Sequence, residues 1–335
     1  MDSAKPKTFI RGIYKTPILK LSSDFFTSAM GREIIHSKLD NEPVFQVCIR
    51  ENYFNVYWNG CSVLKFKPNG WDKKYLIHYK YIGGKEPGWK NEWVKKNDPY
   101  IALTMDENGD LVFPAEKNWS FKKNIIHQAK SGQITHVDDY THSGSSPGEK
   151  VLLNMYLKKF KPLLMDLEVA FARKRDPDEI ESSKTHRPFV ADRMDFAEIE
   201  YTDGAAPKLK LIEVKKVADS RLSSIPENNP EVLTQMSHYM AFITNSHEMI
   251  LQSYKQVAKN MVELGIVDNK MTCDNNSVKD ILKEFRVSGE LDENPHLLVL
   301  GTEKDFSNKT RRGHLKRLTK LFAERNYQAP EYETL

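Results

Sequence analysis

Cysteine is scarce: Cys48, Cys61 and Cys273 are the only three in 335 residues. An odd, scattered set fits neither a disulfide framework nor the paired spacing of a zinc site. A reducing cytoplasm is therefore the expected compartment. No uninterrupted apolar run is long enough to cross a bilayer, so no membrane partner is expected. The opening Met-Asp-Ser-Ala-Lys-Pro-Lys lacks the apolar stretch of a signal peptide. Neither sign of charge dominates, and a net charge of +4 is too small to demand a nucleic-acid partner. Internal repeats are absent. No Gly-Lys-Ser/Thr occurs, and Glu149 separates Gly148 from Lys150, which argues against ATP hydrolysis by a phosphate-binding loop.

With 39% hydrophobic and 29% charged residues, the chain reads as soluble and globular. Its length suggests two domains. The expected division is a strand-rich N-terminal domain over 1–135, a Gly-, Ser- and Pro-punctuated linker over 136–147, and an α/β domain over 148–335. In the first part, Val44–Arg50, Tyr53–Trp58, Ser62–Lys67 and Tyr75–Ile82 are rich in β-branched and aromatic residues, and Asn59-Gly60 is a hairpin signal. Residues 119–130 read as a helix. The five tryptophans (Trp58, Trp71, Trp89, Trp93, Trp119) interleave with lysines such as Lys65 and Lys67, which would suit a surface stacking on nucleic acid. Ordinary core packing is the more economical account.

In the second part, Ser146 and Pro147 start a helix whose apolar face is Leu152, Leu153, Tyr156, Leu157 and Phe160. Leu163–Arg173 reads as a strand, and residues 191–201 and 208–217 as a hairpin turning at Gly204. Asn229 and Pro230 open a helix to about Ile243, and residues 247–265 form another. His296–Gly301 reads as a buried strand, and a basic helix covers roughly 308–325.

The hairpin carries the chemistry. A turn centred on Gly204 sets Asp195 opposite Glu213. Alternation then puts Arg193, Asp195, Ala197 and Ile199 on one face, facing Leu209, Leu211, Glu213 and Lys215. Like charges across a ladder repel, and a divalent cation would remove that penalty. Two carboxylates and an amine so placed are equipment for phosphodiester hydrolysis by an activated water. Four residues apart on the next helix, Gln235 and Tyr239 share a face, beside an apolar stripe of Val232, Met236, Met240 and Ile243.

The order helix, three strands, helix, strand, with Asp195, Glu213-Val214-Lys215 and Gln235-x-x-x-Tyr239 in sequence, resembles the PD-(D/E)XK nuclease superfamily, in particular RecB-type members. Met194 stands where that superfamily has its leading proline. The resemblance covers about residues 146–301. It implies a restriction-endonuclease-like mixed sheet flanked by helices, and a Mg²⁺-dependent nuclease, with Mn²⁺ as a possible substitute. Asp195, Glu213 and the Val214 carbonyl would hold the metal. Lys215 would orient the water and stabilise developing charge, and Gln235 and Tyr239 would position phosphate or water. An acidic residue on the first core helix often joins such sites. Glu149 is the candidate, though it also fits a capping box with Ser146, and Glu168 is its rival.

DNA is the favoured substrate, and an RNA nuclease or a non-catalytic nucleic-acid-binding or scaffolding protein on the same fold are the alternatives. The basic runs Lys158–Lys161, Arg173–Arg175 and Lys309–Arg317 suit phosphates or a solvated face equally. The strand-rich first half bears a slighter likeness to bacterial proteins of phage defence. A homo-oligomer or a partner protein is compatible with everything above.

Overall fold

A computed structural model of the chain describes residues 9–36, 38–39, 42–43, 45–58, 61–68, 75–78, 100–105, 111–112, 148–160, 163–175, 180, 189–223, 230–267 and 271–335. The expected linker, the expected helix at 119–130 and four of the five tryptophans lie outside these residues. Helices α1 (Thr16–Thr27) and α2 (Ala29–His36) lead into a small pair, β1 (Lys38–Leu39) with β2 (Glu42–Pro43). A six-stranded antiparallel meander follows: β3 (Phe45–Arg50), β4 (Tyr53–Trp58), β5 (Cys61–Phe66), β6 (Tyr75–His78), β7 (Tyr100–Met105) and β8 (Leu111–Val112). The strand assignments thus agree with the sequence pattern, but the two leading helices do not. α1 docks Phe25 and Phe26 on Phe54 and Phe66 of the meander, with Phe25–Phe66 stacked at 5.5 Å. Trp58 is buried in this core.

The second half runs α3 (Glu149–Phe160), β9 (Leu164–Lys174), β10 (Phe189–Glu200), β11 (Lys208–Lys216), a 3-10 turn (Ser220–Leu222), α4 (Glu231–Glu263), β12 (Thr272–Cys273), β13 (Asn276–Ser277), α5 (Val278–Ser288), β14 (Glu290–Leu291), β15 (His296–Gly301), α6 (Glu303–Ser307), α7 (Lys309–Glu324) and β16 (Glu331–Thr334). The sheet order is β16-β15-β11-β10-β9, with β14 paired to β11. β9, β10 and β11 are antiparallel, whereas β15 joins β11 and β16 joins β15 in parallel. The architecture is a mixed α/β sheet flanked by helices.

Each sheet face has its own helix. Phe196, Ile212, Val214, Leu298 and Leu300 pack under α3 through Leu152, Tyr156 and Leu157. Ala197, Ile199, Leu209, Leu211, Leu297 and Val299 face α4 and join the larger core, which continues into the N-terminal meander. The α4 face therefore holds the odd-numbered residues of β11, where Glu213 and Lys215 also lie.

α4 corrects the expectation of two helices. It is one helix of 33 residues: Thr244-Asn245-Ser246 contains no Gly or Pro that would force an end, and packing carries the helix through. Both halves are held by packing: Val232, Met236 and Ile243 on the sheet, Tyr254 and Val257 against the N-terminal segment. That segment is threaded past the second half of α4. The Ile13 N–H donates to Asn260 Oδ1 at 2.7 Å, and Gln256 Nε2 donates to the Ile13 carbonyl at 3.2 Å.

A second correction concerns alternation. Met194 and Val169 face the α4 core, while Phe196 and Leu167, two residues along each strand, face α3. Both neighbouring strands therefore change face at Asp195 and Glu168, and Glu168 takes a positive φ of 53°. Arg193, expected on the Asp195 face, is instead exposed beside the buried Met194.

Candidate active site

The expected hairpin register holds. Phe196 pairs with Ile212 and Ala197 with Leu211, which sets Asp195 opposite Glu213 in the same count. The paired ladder ends at Phe196. Beyond it the Asp195 carboxylate replaces a backbone acceptor, taking the Val214 N–H at 2.7 Å on Oδ2. Opening the ladder at this point creates the site, because two strands that stay paired leave no gap between facing side chains.

Into this gap α4 brings Gln235 and Tyr239. Gln235 Nε2 donates to Glu213 Oε1 at 2.9 Å and to the Tyr239 hydroxyl at 2.5 Å. The Tyr239 hydroxyl lies 2.9 Å from Glu213 Oε2 and 2.5 Å from the Arg193 carbonyl, and its single proton serves one of them at a time. The Lys215 ammonium pairs with Glu213 Oε1 and donates to the Val214 carbonyl at 2.9 Å. Glu213 and Lys215 are almost wholly buried, at 3% and 1% exposure. A buried ion pair needs its remaining polar atoms satisfied, and Gln235 and Tyr239 do this for Glu213.

The electrostatics mark the acids as crowded. Burial, then the charge of Glu213, push the Asp195 carboxyl up to about 7, against the Val214 N–H and Lys215. Burial also raises Glu213, with Lys215 opposing. At the start of α3, burial raises Glu149, opposed by Lys215 and reinforced by Asp195. Glu149 therefore belongs to the same cluster of charges. Glu168 does not: it is exposed at the kink, and its Oε2 takes a 3.2 Å hydrogen bond from the Tyr57 hydroxyl of the N-terminal meander.

Two residues here escaped the sequence. Arg221, on the 3-10 turn after β11, reaches Glu149 Oε2 at 3.8 Å and is clamped by Asp219 at 2.6 Å. Hydrogen bonds from Arg221 overcome the effect of burial and hold the Asp219 carboxyl below its usual range. The only local signal is an Asp two residues before an Arg, which is too common to single out. The Arg193 carbonyl is a backbone group that no side-chain motif can reveal.

Among the described residues, no three His, Cys, Asp or Glu side chains are drawn together closely enough to hold a metal ion. The Lys215 ammonium accounts for part of this, since it takes Glu213 Oε1 and the Val214 carbonyl. The donor set nonetheless suits a hard cation. It is all oxygen, it is crowded with like charge, and two of its oxygens already bind a positive group. The side chains of Lys158–Lys161 lie outside the described residues, and Arg173 pairs with Asp192 at 2.7 Å.

No family model, no curated protein and no solved structure matches this chain. The functional reading therefore rests on the residues themselves.

Proposed function

We propose that this chain is a metal-dependent nuclease of restriction-endonuclease-like fold, hydrolysing phosphodiester bonds in DNA. The observation that carries the reading is the meeting of Asp195, Glu213, Lys215, Gln235 and Tyr239 where the β10–β11 ladder opens, with Glu149 in electrostatic reach. The first five come from three separate elements and Glu149 from a fourth, and neither burial nor packing alone requires so polar a convergence.

Asp195, Glu213 and the Val214 carbonyl would hold Mg²⁺ or Mn²⁺, with Glu149 at the margin. When bound, such a cation acidifies a water and offsets charge on the attacked phosphorus. Release of Glu213 and the Val214 carbonyl would free the Lys215 ammonium to orient that water and meet the developing negative charge. Gln235 and Tyr239 fix both oxygens of Glu213, so the carboxylate keeps its direction when the lysine leaves. Arg221, spread between Asp219 and Glu149, is a further cation at the edge of the site.

The closed Lys215–Glu213 pair favours one second reading, a nucleic-acid-binding protein without catalysis. A cleavage panel decides between them: linear, circular and single-stranded DNA and RNA, with Mg²⁺ or Mn²⁺, beside the Lys215→Ala protein. The nuclease reading expects metal-dependent DNA cutting that the variant lacks. Equal absence of cutting by both proteins would refute it.

A further inference from the structure

Next to the candidate site lies a cavity of about 320 Å³, between the end of β11, the 3-10 turn and the first two turns of α7. Val217 and Leu222 form its apolar side, and Ser223, Thr310, Arg311 and His314 supply its polar side. Among the described residues, no carboxylate lines it. Asp305 pairs with Arg311 Nη1, but its Oδ2 is turned to the Thr302 backbone and hydroxyl at 3.0 and 2.8 Å. The guanidinium thus keeps donors for another acceptor.

α7 continues the same chemistry along the surface. It carries Lys309, Arg311, Arg312, Lys316, Arg317 and Lys320 against one carboxylate, Glu324. Lys309, Arg312 and Lys316 are exposed and have no carboxylate partner among the described residues. These three exposed cations, spaced along one side of the helix, suit an external polyanion.

The position is as telling as the charge. Val217 follows directly on the end of β11, two residues after Lys215, so the strand that carries Lys215 into the candidate site leads straight to the cavity wall. The 3-10 turn also serves both, with Arg221 reaching Glu149 and Leu222 and Ser223 lining the cavity. We infer that this cavity receives a backbone phosphate of a nucleic-acid strand, and that the exposed cations of α7 carry the strand onward. That the strand's scissile bond lies at Asp195 and Glu213 rests on the nuclease reading; the phosphate site does not.

The test is fluorescence anisotropy with a labelled single-stranded DNA and its duplex. The full-length protein is held in EDTA so that nothing is cut, over a series of salt concentrations. The Arg311→Gln/His314→Gln variant removes the cavity's guanidinium and imidazole. Thr310→Asp keeps the helix sound, since a carboxylate suits the first turn, while repelling a phosphate. Thr310→Asp should keep the wild-type melting temperature, whereas the double variant leaves buried Asp305 without its Arg311 partner and should melt lower while still folded at the assay temperature. Both should bind single-stranded DNA about tenfold more weakly, with a salt slope shallower by roughly one phosphate contact. Thr310→Asp protein that binds with unchanged affinity and slope overturns the inference. Parallel reactions of wild type with Mg²⁺ separate the two claims. Variant-sensitive binding without any wild-type cleavage refutes the nuclease reading and leaves the phosphate site standing. Wild-type cleavage with variant-insensitive binding does the reverse.

Discussion

Replacing Asp195 with Asn should make the metal-free protein more stable, not less. Asp195 is raised from its ordinary 3.8 to about 7 by burial and by Glu213. The folded protein therefore holds this proton more tightly than the unfolded chain does. The sign follows: Asp195 costs nothing below about pH 3.8, and stability is lost as pH rises through about 7. A rise of roughly three pH units corresponds to about 4 kcal/mol, and water at the open edge of the site reduces this to about 2–4 kcal/mol. Asn cannot ionise, yet its Oδ1 can still accept the Val214 N–H now bonded at 2.7 Å. At about 2.1 cal/mol/K per residue, a chain of 335 residues gains roughly 1.5 °C per kcal/mol, so a rise in Tm of about 3–6 °C is expected near pH 8 in EDTA. Near pH 5 the gain should shrink to less than half. Added Mg²⁺ should stabilise wild type and do little for Asp195→Asn, because the metal and the lost proton relieve the same repulsion. An Asn variant that melts below wild type at pH 8, or gains equally at both pH values, would show that Asp195 is not crowded as described.

Three further outcomes follow from the structure. Arg50→Met removes a guanidinium that pairs with buried Asp166 at 2.7 Å and caps the Leu167 carbonyl; a loss of about 3 kcal/mol in urea unfolding is expected, at the low end for a broken buried pair because Arg11 still reaches Asp166, and a loss below about 1 kcal/mol would contradict it. Burial pulls His296 down, but Asp292 at 3.0 Å and Glu331 at 3.5 Å outweigh it and raise its proton affinity above the ordinary 6.5; its contribution is full below that value and is lost as pH rises through the raised one, so His296→Gln should flatten the Tm profile on the alkaline side. Gly12 has φ +107°, and a Cβ there would lie 2.5 Å from Gln256 Cγ; Gly12→Ala should cost about 1–3 kcal/mol by thermal melts, and a neutral effect would mean that the N-terminal segment is not pinned to α4 as described.

Much of this protein was legible from local pattern. The hairpin register followed from the turn at Gly204, and a one-residue slip from it would take Ala197, Ile199, Leu209 and Leu211 off their common face. Gln235 and Tyr239 met because residues four apart on a helix must share a face. These are consequences of backbone geometry, and the chain encodes them within a few residues.

The rest was decided by contacts between segments far apart in sequence. No local rule makes α4 continuous through Thr244-Asn245-Ser246; packing along its whole length does. Nor does any turn the strands over at Asp195 and Glu168, where Tyr57 and Arg50 of the N-terminal meander grip the kink. The sequence left Glu149 and Glu168 as rivals; in the fold Glu149 feels the charges of Lys215 and Asp195, while Glu168 is bonded to Tyr57. Alternation gives a side chain its face only while a strand stays regular, and where the strand breaks, the surrounding core decides where Glu168 points.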